Sequence, residues 1–410
     1  MPPPTHRTVA AHARRCYKRR VRLDLQHRLL ARVREHLAAG TTDMGAHCLR
    51  AAAAHYASPA ELERELRAWF RARPLLVALA PDLPAPGTYL ARDAGDLPLL
   101  LTRAADGAVR AFVNACRHRG TRVAEGRGAR ERLVCPFHAW TYDLTGRVRA
   151  RPQSCAGFAG IGDGYDALHE LPCREVAGMI FVQREGDDID ANLEALVAGI
   201  REEVADYRIA DHVYCDGRAT ERACNYKLVM DGFAESYHLK VLHKDTIAPY
   251  YYAAPSLADA LGPVARVIGV RTGVEAELAK PPAEQRFLRH GTVQYLLPPN
   301  AVLCHQVDHL QLWQIHPAGR DPGRCRIALH LYWPAPVDDE GGRKAAFNLD
   351  VLWRVTTSED FPQAEHIQAG LASGAVLELV FGRNEPGLVH YHEQMARGAG
   401  SESVARLGPR

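Results

Sequence analysis

Apolar residues along this chain follow two rhythms. Near the start, Leu25, Leu29, Val33 and Leu37 recur every four positions with arginines between them, the stripe of an amphipathic helix that docks on a larger body. Ala51 to Leu66 continues as a helical segment. Short apolar strands then take over. Leu97–Thr102 and Val109–Asn114 flank Asp106-Gly107 as a hairpin, Trp140–Val148 reads as a strand closed by the Gly146 turn, and Gly178–Gln183 as one more strand. Ile189 to Tyr207 predicts a helix, and Gly291–Pro334 holds further strands at 292–297, 301–305 and 326–333 that suggest an antiparallel sheet. The last dozen residues, rich in Gly and Ser, are expected to be disordered. This is an α+β chain in three segments: a helical N-terminal extension over 1–68, a small β domain over 69–185, and a larger domain over 186–410.

Composition narrows the setting. At 410 residues the chain can form two well-cored domains, and no apolar run reaches membrane-spanning length. Ten cysteines without a secretory leader fit a reducing, cytoplasmic location. Residues 1–50 carry eleven Lys and Arg against three acids on a chain whose net charge is only +3. Neither interleaved aromatics nor a nucleic-acid motif accompanies that charge, so a docked helix is expected ahead of a nucleic-acid arm or a transit peptide.

Cys116-Arg117-His118 is followed, after sixteen residues, by Cys135-Pro136-Phe137-His138. Each clip supplies one thiolate and one imidazole. Zinc sites usually take their cysteines as one pair and their histidines as another, whereas here the types alternate. A [2Fe-2S] cluster accounts for the order, one iron taking Cys116 and Cys135 and the other His118 and His138. The other eight cysteines, Cys16, Cys48, Cys155, Cys173, Cys215, Cys224, Cys304 and Cys325, are scattered singly and read as small buried apolar residues.

Asn114–Gly120 and Cys135–Tyr142 resemble the cluster-binding loops of the large subunits of Rieske non-haem iron oxygenases of the ring-hydroxylating type, over the chain from about Trp69 onward. Phe137 and Ala139 depart from the family's usual Tyr and Gly. The resemblance implies a second metal site in the catalytic domain, and the sequence offers one. His238 and His243 stand five apart, unlike the four-residue spacing of HExxH zinc proteases, and fit the two histidines of a two-His, one-carboxylate ferrous site. Glu359, Asp360 and Glu365 are the carboxylate candidates. Ser358 reads as a helix N-cap with Asp360 in the first turn. In the family the third ligand is an Asp upstream of Gln-x-Gly-Leu, matched at Gln368–Leu371, so Asp360 is taken, and Glu359 and Glu365 read as helix charge. Glu235, three residues before His238 and expected on the same helical face, takes by resemblance the carboxylate position that bridges an iron-ligand His to a cluster His of the neighbouring subunit.

The resemblance further implies a helix-grip catalytic domain, a homotrimer, O2 as co-substrate and mono- or dihydroxylation or oxidative demethylation of a small organic molecule. No GxGxxG, P-loop or second Cys set is present, so NAD(P)H would act only through a separate flavin-dependent reductase, with or without a ferredoxin. Two rival readings are a Rieske electron carrier whose second domain only binds a ligand, and a zinc-stabilised lipid- or hormone-binding module of the helix-grip type without redox chemistry. Met230, Phe233, Leu242, Tyr295, Leu297, His305 and Trp313 are the pocket candidates, and Tyr251, Tyr252 and Trp313 form a cation cage if the substrate is a quaternary amine.

Overall fold

The computed structural model describes residues 22–408 apart from 154–156, 159, 160, 162, 163 and 187, so Cys16, Cys155 and most of the basic N-terminal segment lie outside the described residues. The docking stripe forms as its spacing requires. Helix Leu23–Ala39 buries Leu25, Leu29, Leu30 and Val33 against Leu257, Ile268, Phe287 and Leu288, with Leu37 packed at the edge. On its wet side Arg32 reaches Asp259 at 2.8 Å.

Two expectations fail next, for one reason. Cys48–Ala52 is a strand, the centre of a three-stranded sheet between Glu378–Phe381 and Val404–Leu407. The alanine run that favours helix locally is overridden by distant pairing, and the tail expected to be disordered is the third strand. Helical structure resumes in Ala54–Ala57 and Pro59–Glu65, the latter capped by Ser58 Oγ, which accepts from Glu61 N at 3.3 Å.

The next region is β-rich. Leu97–Arg103 and Val109–Val113 pair across the Asp106-Gly107 turn within a five-stranded sheet. Leu75–Leu79, Met179–Val182 and Cys173–Val176 make a second sheet, and Arg132–Val134, Thr141–Asp143 and Val148–Ala150 a third. The helix expected over 189–207 is two helices, Ile189–Val197 and Arg201–Asp206. The break holds Gly199, where a Cβ would meet the Leu261 carbonyl oxygen at 2.7 Å.

Seven antiparallel strands follow, in the spatial order His212–Arg222, Cys325–Pro334, Leu310–Pro317, Ala301–His305, Gly291–Leu297, Val264–Arg271, Tyr251–Leu261. Helices Tyr226–Ala234, Asp339–Val355 and Pro386–Ala399 pack against this sheet, giving the expected grip of sheet on helix. No helix among the described residues is long and apolar enough to cross a membrane.

Candidate metal centres and the adjoining cavity

Both Cys–His clips sit at the tips of loops. The first follows Val109–Val113, and the second joins Arg132–Val134 to Thr141–Asp143. Backbone hydrogen bonds tighten each tip: Gly120 N donates to Cys116 O at 2.8 Å, and Ala139 N to Cys135 O at 3.1 Å. Ala139, at the position where the sequence departs from Gly, has φ +56°, a left-handed conformation that costs about 1–2 kcal/mol for a residue with a Cβ.

Cys116 and Cys135 are buried, and the His118 and His138 ring centroids lie 4.5 Å apart. Burial pushes the Cys135 thiol up, and the neighbouring Cys116 thiol pushes it further. His118 Nδ1 is buried without a hydrogen-bond partner. Two crowded thiols, two facing imidazoles and an orphaned ring nitrogen fit a two-sulfur, two-nitrogen [2Fe-2S] cluster. Tyr142 OH lies 3.1 Å from Cys116 Sγ and accepts from Arg117 N at 3.0 Å.

The second centre gathers around a broken helix. Asn225 caps Tyr226–Ala234 by accepting from Lys227 N at 2.9 Å, while its own N–H donates to Gln368 Oε1 at 2.9 Å. Lys227 Nζ meets Glu65 Oε1 at 2.5 Å, both side chains essentially inaccessible, which pins this helix to Pro59–Glu65. The helix ends at Ala234, and Glu235 is extended with φ −147°. Glu235 and His238 therefore do not share a helical face. The Glu235 carboxylate instead turns back, accepting from the backbone N–H of Tyr237 and of His238 and bonding His238 Nδ1.

Asp360 arrives from the far side. No helix starts at Ser358: Asp339–Val355 runs through a π-helical turn, Thr356–Asp360, straight into Phe361–Ala372. The Ser358 hydroxyl donates back to Arg354 O at 2.7 Å, and Thr357 to Trp353 O at 2.6 Å, occupying carbonyls that the widened turn leaves short of partners. Asp360 Oδ1 lies 3.2 Å from His243 Nε2 and 3.6 Å from His238 Nε2, and the three donor atoms lie within 4.8 Å of one another.

The same turn presents Glu359, which sequence reasoning set aside as helix charge. Its Oε2 is 2.5 Å from His243 Nδ1 and accepts from Thr246 Oγ1 at 2.9 Å. Each imidazole thus has Nδ1 held by a glutamate and Nε2 turned toward Asp360, the arrangement that fixes the tautomer of a metal-binding histidine. Burial alone lowers the His243 pKa, but the Asp360 and Glu359 carboxylates outweigh it and the net shift is upward. Glu365 stands apart, accepting from Ala223 N at 3.1 Å. The two-His, one-carboxylate donor set suits ferrous iron.

A cavity of about 570 Å³ opens on His238, His243 and Asp360. Phe233 and Trp313 line it, with ring centroids 5.1 Å apart, and so does Tyr251. Leu242 lines a neighbouring cavity that shares His238 and Asp360. Met230, Leu297 and His305 line neither cavity and are buried in the core, where His305 stacks on Tyr207 at 4.5 Å. Tyr295 is core as well, its hydroxyl 3.0 Å from Tyr207 OH. The cation cage does not assemble: Tyr252 bonds Glu275 away from the cavity, and the Arg271 guanidinium already sits 5.2 Å from the Tyr251 ring centre. The sequence reading missed Arg271, Thr292, Gln294, Gln306 and Gln311. Their signal was polar residues at alternate positions of apolar strands, as in Thr292 and Gln294.

Two family models match the chain, "Rieske [2Fe-2S] domain" over residues 73–162 and "Ring hydroxylating alpha subunit (catalytic domain)" over residues 204–400. The chain thus carries a Rieske [2Fe-2S] domain and a ring-hydroxylating alpha-subunit catalytic domain. These two domains imply a [2Fe-2S] cluster and a mononuclear iron. It is similar to the glycine betaine monooxygenase oxygenase subunit of Chromohalobacter salexigens, 31% identical over 200 residues, 47% of this chain and 42% of that protein. To the carnitine monooxygenase oxygenase subunit of Escherichia coli K12 it is 29% identical over 175 residues, 41% of this chain and 45% of that protein. The match thus spans less than half the length of these curated relatives. The quaternary ammonium Rieske monooxygenase CntA in complex with L-carnitine superposes with a TM-score of 0.72 at 19% identity, covering 85% of this chain and 95% of that one. Naphthalene 1,2-dioxygenase from Rhodococcus sp. gives 0.68 at 16% identity, covering 92% and 98%. At those identities the likeness is one of fold.

Proposed function

We propose that this protein is the terminal oxygenase of a multicomponent system, using O2 and electrons from a separate reductase to hydroxylate a small organic substrate. The observation that carries the reading is the convergence of His238 Nε2, His243 Nε2 and the Asp360 carboxylate at the wall of a substrate-sized cavity. An electron carrier with a ligand-binding second domain has no use for that triad. In this reading Cys116, His118, Cys135 and His138 hold the cluster in a domain spanning about 69–185, and His238, His243 and Asp360 hold iron in a catalytic domain from about 186 onward. Bound there, ferrous iron supplies open coordination positions for oxygen chemistry. The protein's own part is to orient two imidazoles through the Glu235 and Glu359 clamps, with Nε2 of each turned toward Asp360, and to hold substrate between Phe233, Trp313 and the polar strand residues.

Glu235 is proposed as the electron bridge between subunits of a homotrimer. Apolar exposure at both ends supports this: Phe137 is 52% exposed beside His138, and Tyr237 and Val241 are 74% and 79% exposed beside the iron triad. The electron donor is a flavin-dependent reductase with or without a ferredoxin, and the location is cytoplasmic, in keeping with free cysteines throughout the described residues. His238→Ala tests the oxygenase reading: iron beyond the cluster pair and product formation should both vanish while the cluster spectrum survives. Product formation at the parental rate would overturn it. Glu235→Gln tests the bridge by single-turnover reoxidation of the cluster, which should slow with both metals retained, whereas an unchanged rate would exclude the role.

A further inference from the structure

Two arginines line the cavity, Arg354 at its exposed rim and Arg271 deeper in the wall, and the metal reading leaves Arg271 unexplained. Arg271 ends the strand Val264–Arg271 and reaches into the same space as His238 and Trp313. Its neighbour on the same strand faces acids: the buried Arg266 meets Glu203 at 2.6 Å and Asp259 at 2.8 Å. Arg271 has no carboxylate within ion-pair distance among the described residues. One terminal nitrogen donates to Gln306 Oε1 at 2.9 Å, and its Nε is buried without a partner.

The arginine is nevertheless held in place. Gln306 Oε1 also accepts from Thr292 Oγ1 at 2.8 Å, Thr292 lies 2.8 Å from Tyr251 OH, and the Tyr251 ring sits beneath the guanidinium. A guanidinium fixed on one edge, stacked on one face and lacking an anion is a fork set for a planar, two-oxygen acceptor. Arg271 also argues against a free-standing quaternary ammonium at this end of the cavity, because the Tyr251 face is already occupied by a cation.

We infer that this cavity selects substrates carrying a carboxylate, which Arg271 binds, leaving the remainder of the molecule toward Trp313, Phe233 and the iron triad. The inference rests on the oxygenase reading for the identity of the cavity as the substrate site, but its test does not need turnover. The probes are two matched pairs that differ only in the anion: benzoate against benzamide, and glycine betaine against choline. Titration calorimetry on the purified protein, with and without iron, should show each carboxylate binding about tenfold or more tighter than its partner. Arg271→Gln should lose about 10- to 100-fold in carboxylate affinity, leave benzamide within about twofold and not weaken choline. Arg271→Lys, which keeps the charge but not the fork, should recover part of the loss. Unchanged melting temperature and cluster spectrum in both variants would show that the fold is intact.

The inference is overturned if the carboxylate preference persists in Arg271→Gln, if no preference exists in the parent, or if no carboxylate binds saturably up to about 10 mM. Product formation by the parental protein, supplied with a reductase and O2, separates the two readings. Failure of the oxygenase reading would leave benzoate binding intact with no product from any substrate. Failure of the present inference would leave hydroxylation of uncharged substrates intact with Arg271 irrelevant to it.

Discussion

Glu359 offers the sharpest test of how the proposed iron triad is held. Its carboxylate takes the Nδ1 proton of His243 at 2.5 Å and a second bond from Thr246 at 2.9 Å. A hydrogen bond to a charged group contributes about 1.5–3 kcal/mol, and losing such a support around a metal site lowers metal affinity about 10- to 100-fold. Glu359→Gln keeps an acceptor for His243 and Thr246 and loses only the charge, so iron affinity should fall by the smaller end of that range, about 10-fold. Glu359→Ala removes both bonds and frees the imidazole to rotate, so the loss should approach about 100-fold. The assay is anaerobic competition for ferrous iron against a calibrated chelator, with the cluster absorbance counting folded protein in each sample. If Glu359→Ala binds iron within about threefold of the parent while Asp360→Ala loses it, the glutamate is ordinary helix charge and the argument from tautomer control is wrong.

Tyr142→Phe should lower the cluster reduction potential by roughly 40 mV, the equivalent of one hydrogen bond to sulfur of about 1 kcal/mol, read by redox titration. No change would mean that the Tyr142 hydroxyl serves only Arg117 N. His316 has its pKa lowered to about 4, first by burial and then by the nearby Arg326 and Arg92 charges. Because the folded value lies below that of the unfolded chain, the folded state is fully stabilised above about pH 6.5 and loses stability as pH falls toward 4, by about 2 kcal/mol between pH 7 and 5. His316→Gln should flatten that part of the pH dependence of urea unfolding, and parallel curves would refute it. Lys227→Met strands Glu65 without its partner and should cost about 3–5 kcal/mol by urea midpoint, while adding Glu65→Met should recover most of it. A double variant no better than the single one would show that the pair is not the source of the loss.

The parts legible in the sequence are those where chemistry or local geometry dictates residue type at short range. Two Cys–His clips, a Gly turn between apolar runs and a four-residue apolar stripe all carry their reason within a few positions. Cys48–Ala52 could not be read this way, since its strand partners lie over 300 residues downstream and its own alanines favour helix. Ser358 has the look of a cap, and only the unbroken run of helix from Asp339 shows its hydroxyl bonding backward instead. Glu359 is indistinguishable from surface charge until His243 is folded against it. The cavity was misjudged by favouring large apolar residues such as Met230 and Leu297, which are buried in the core, when the strands contribute Thr292, Gln294 and Gln311 to its lining.

A π turn is an α-helix carrying one surplus residue. Between Val355 and Phe361 that surplus sets the angular phase of everything downstream, since each residue of a regular helix advances the side chains by about 100°. Deleting Thr357 would let the two helices fuse into regular α structure, at no loss of hydrogen bonding, and would carry Asp360 off the line to His238 and His243. The helix Asp339–Ala372 is therefore under a constraint of length as well as of composition. Homologous or engineered chains may exchange many of its side chains freely, yet a single-residue gap or insertion in this stretch changes what its carboxylates face, and alignments through it should be judged on that count.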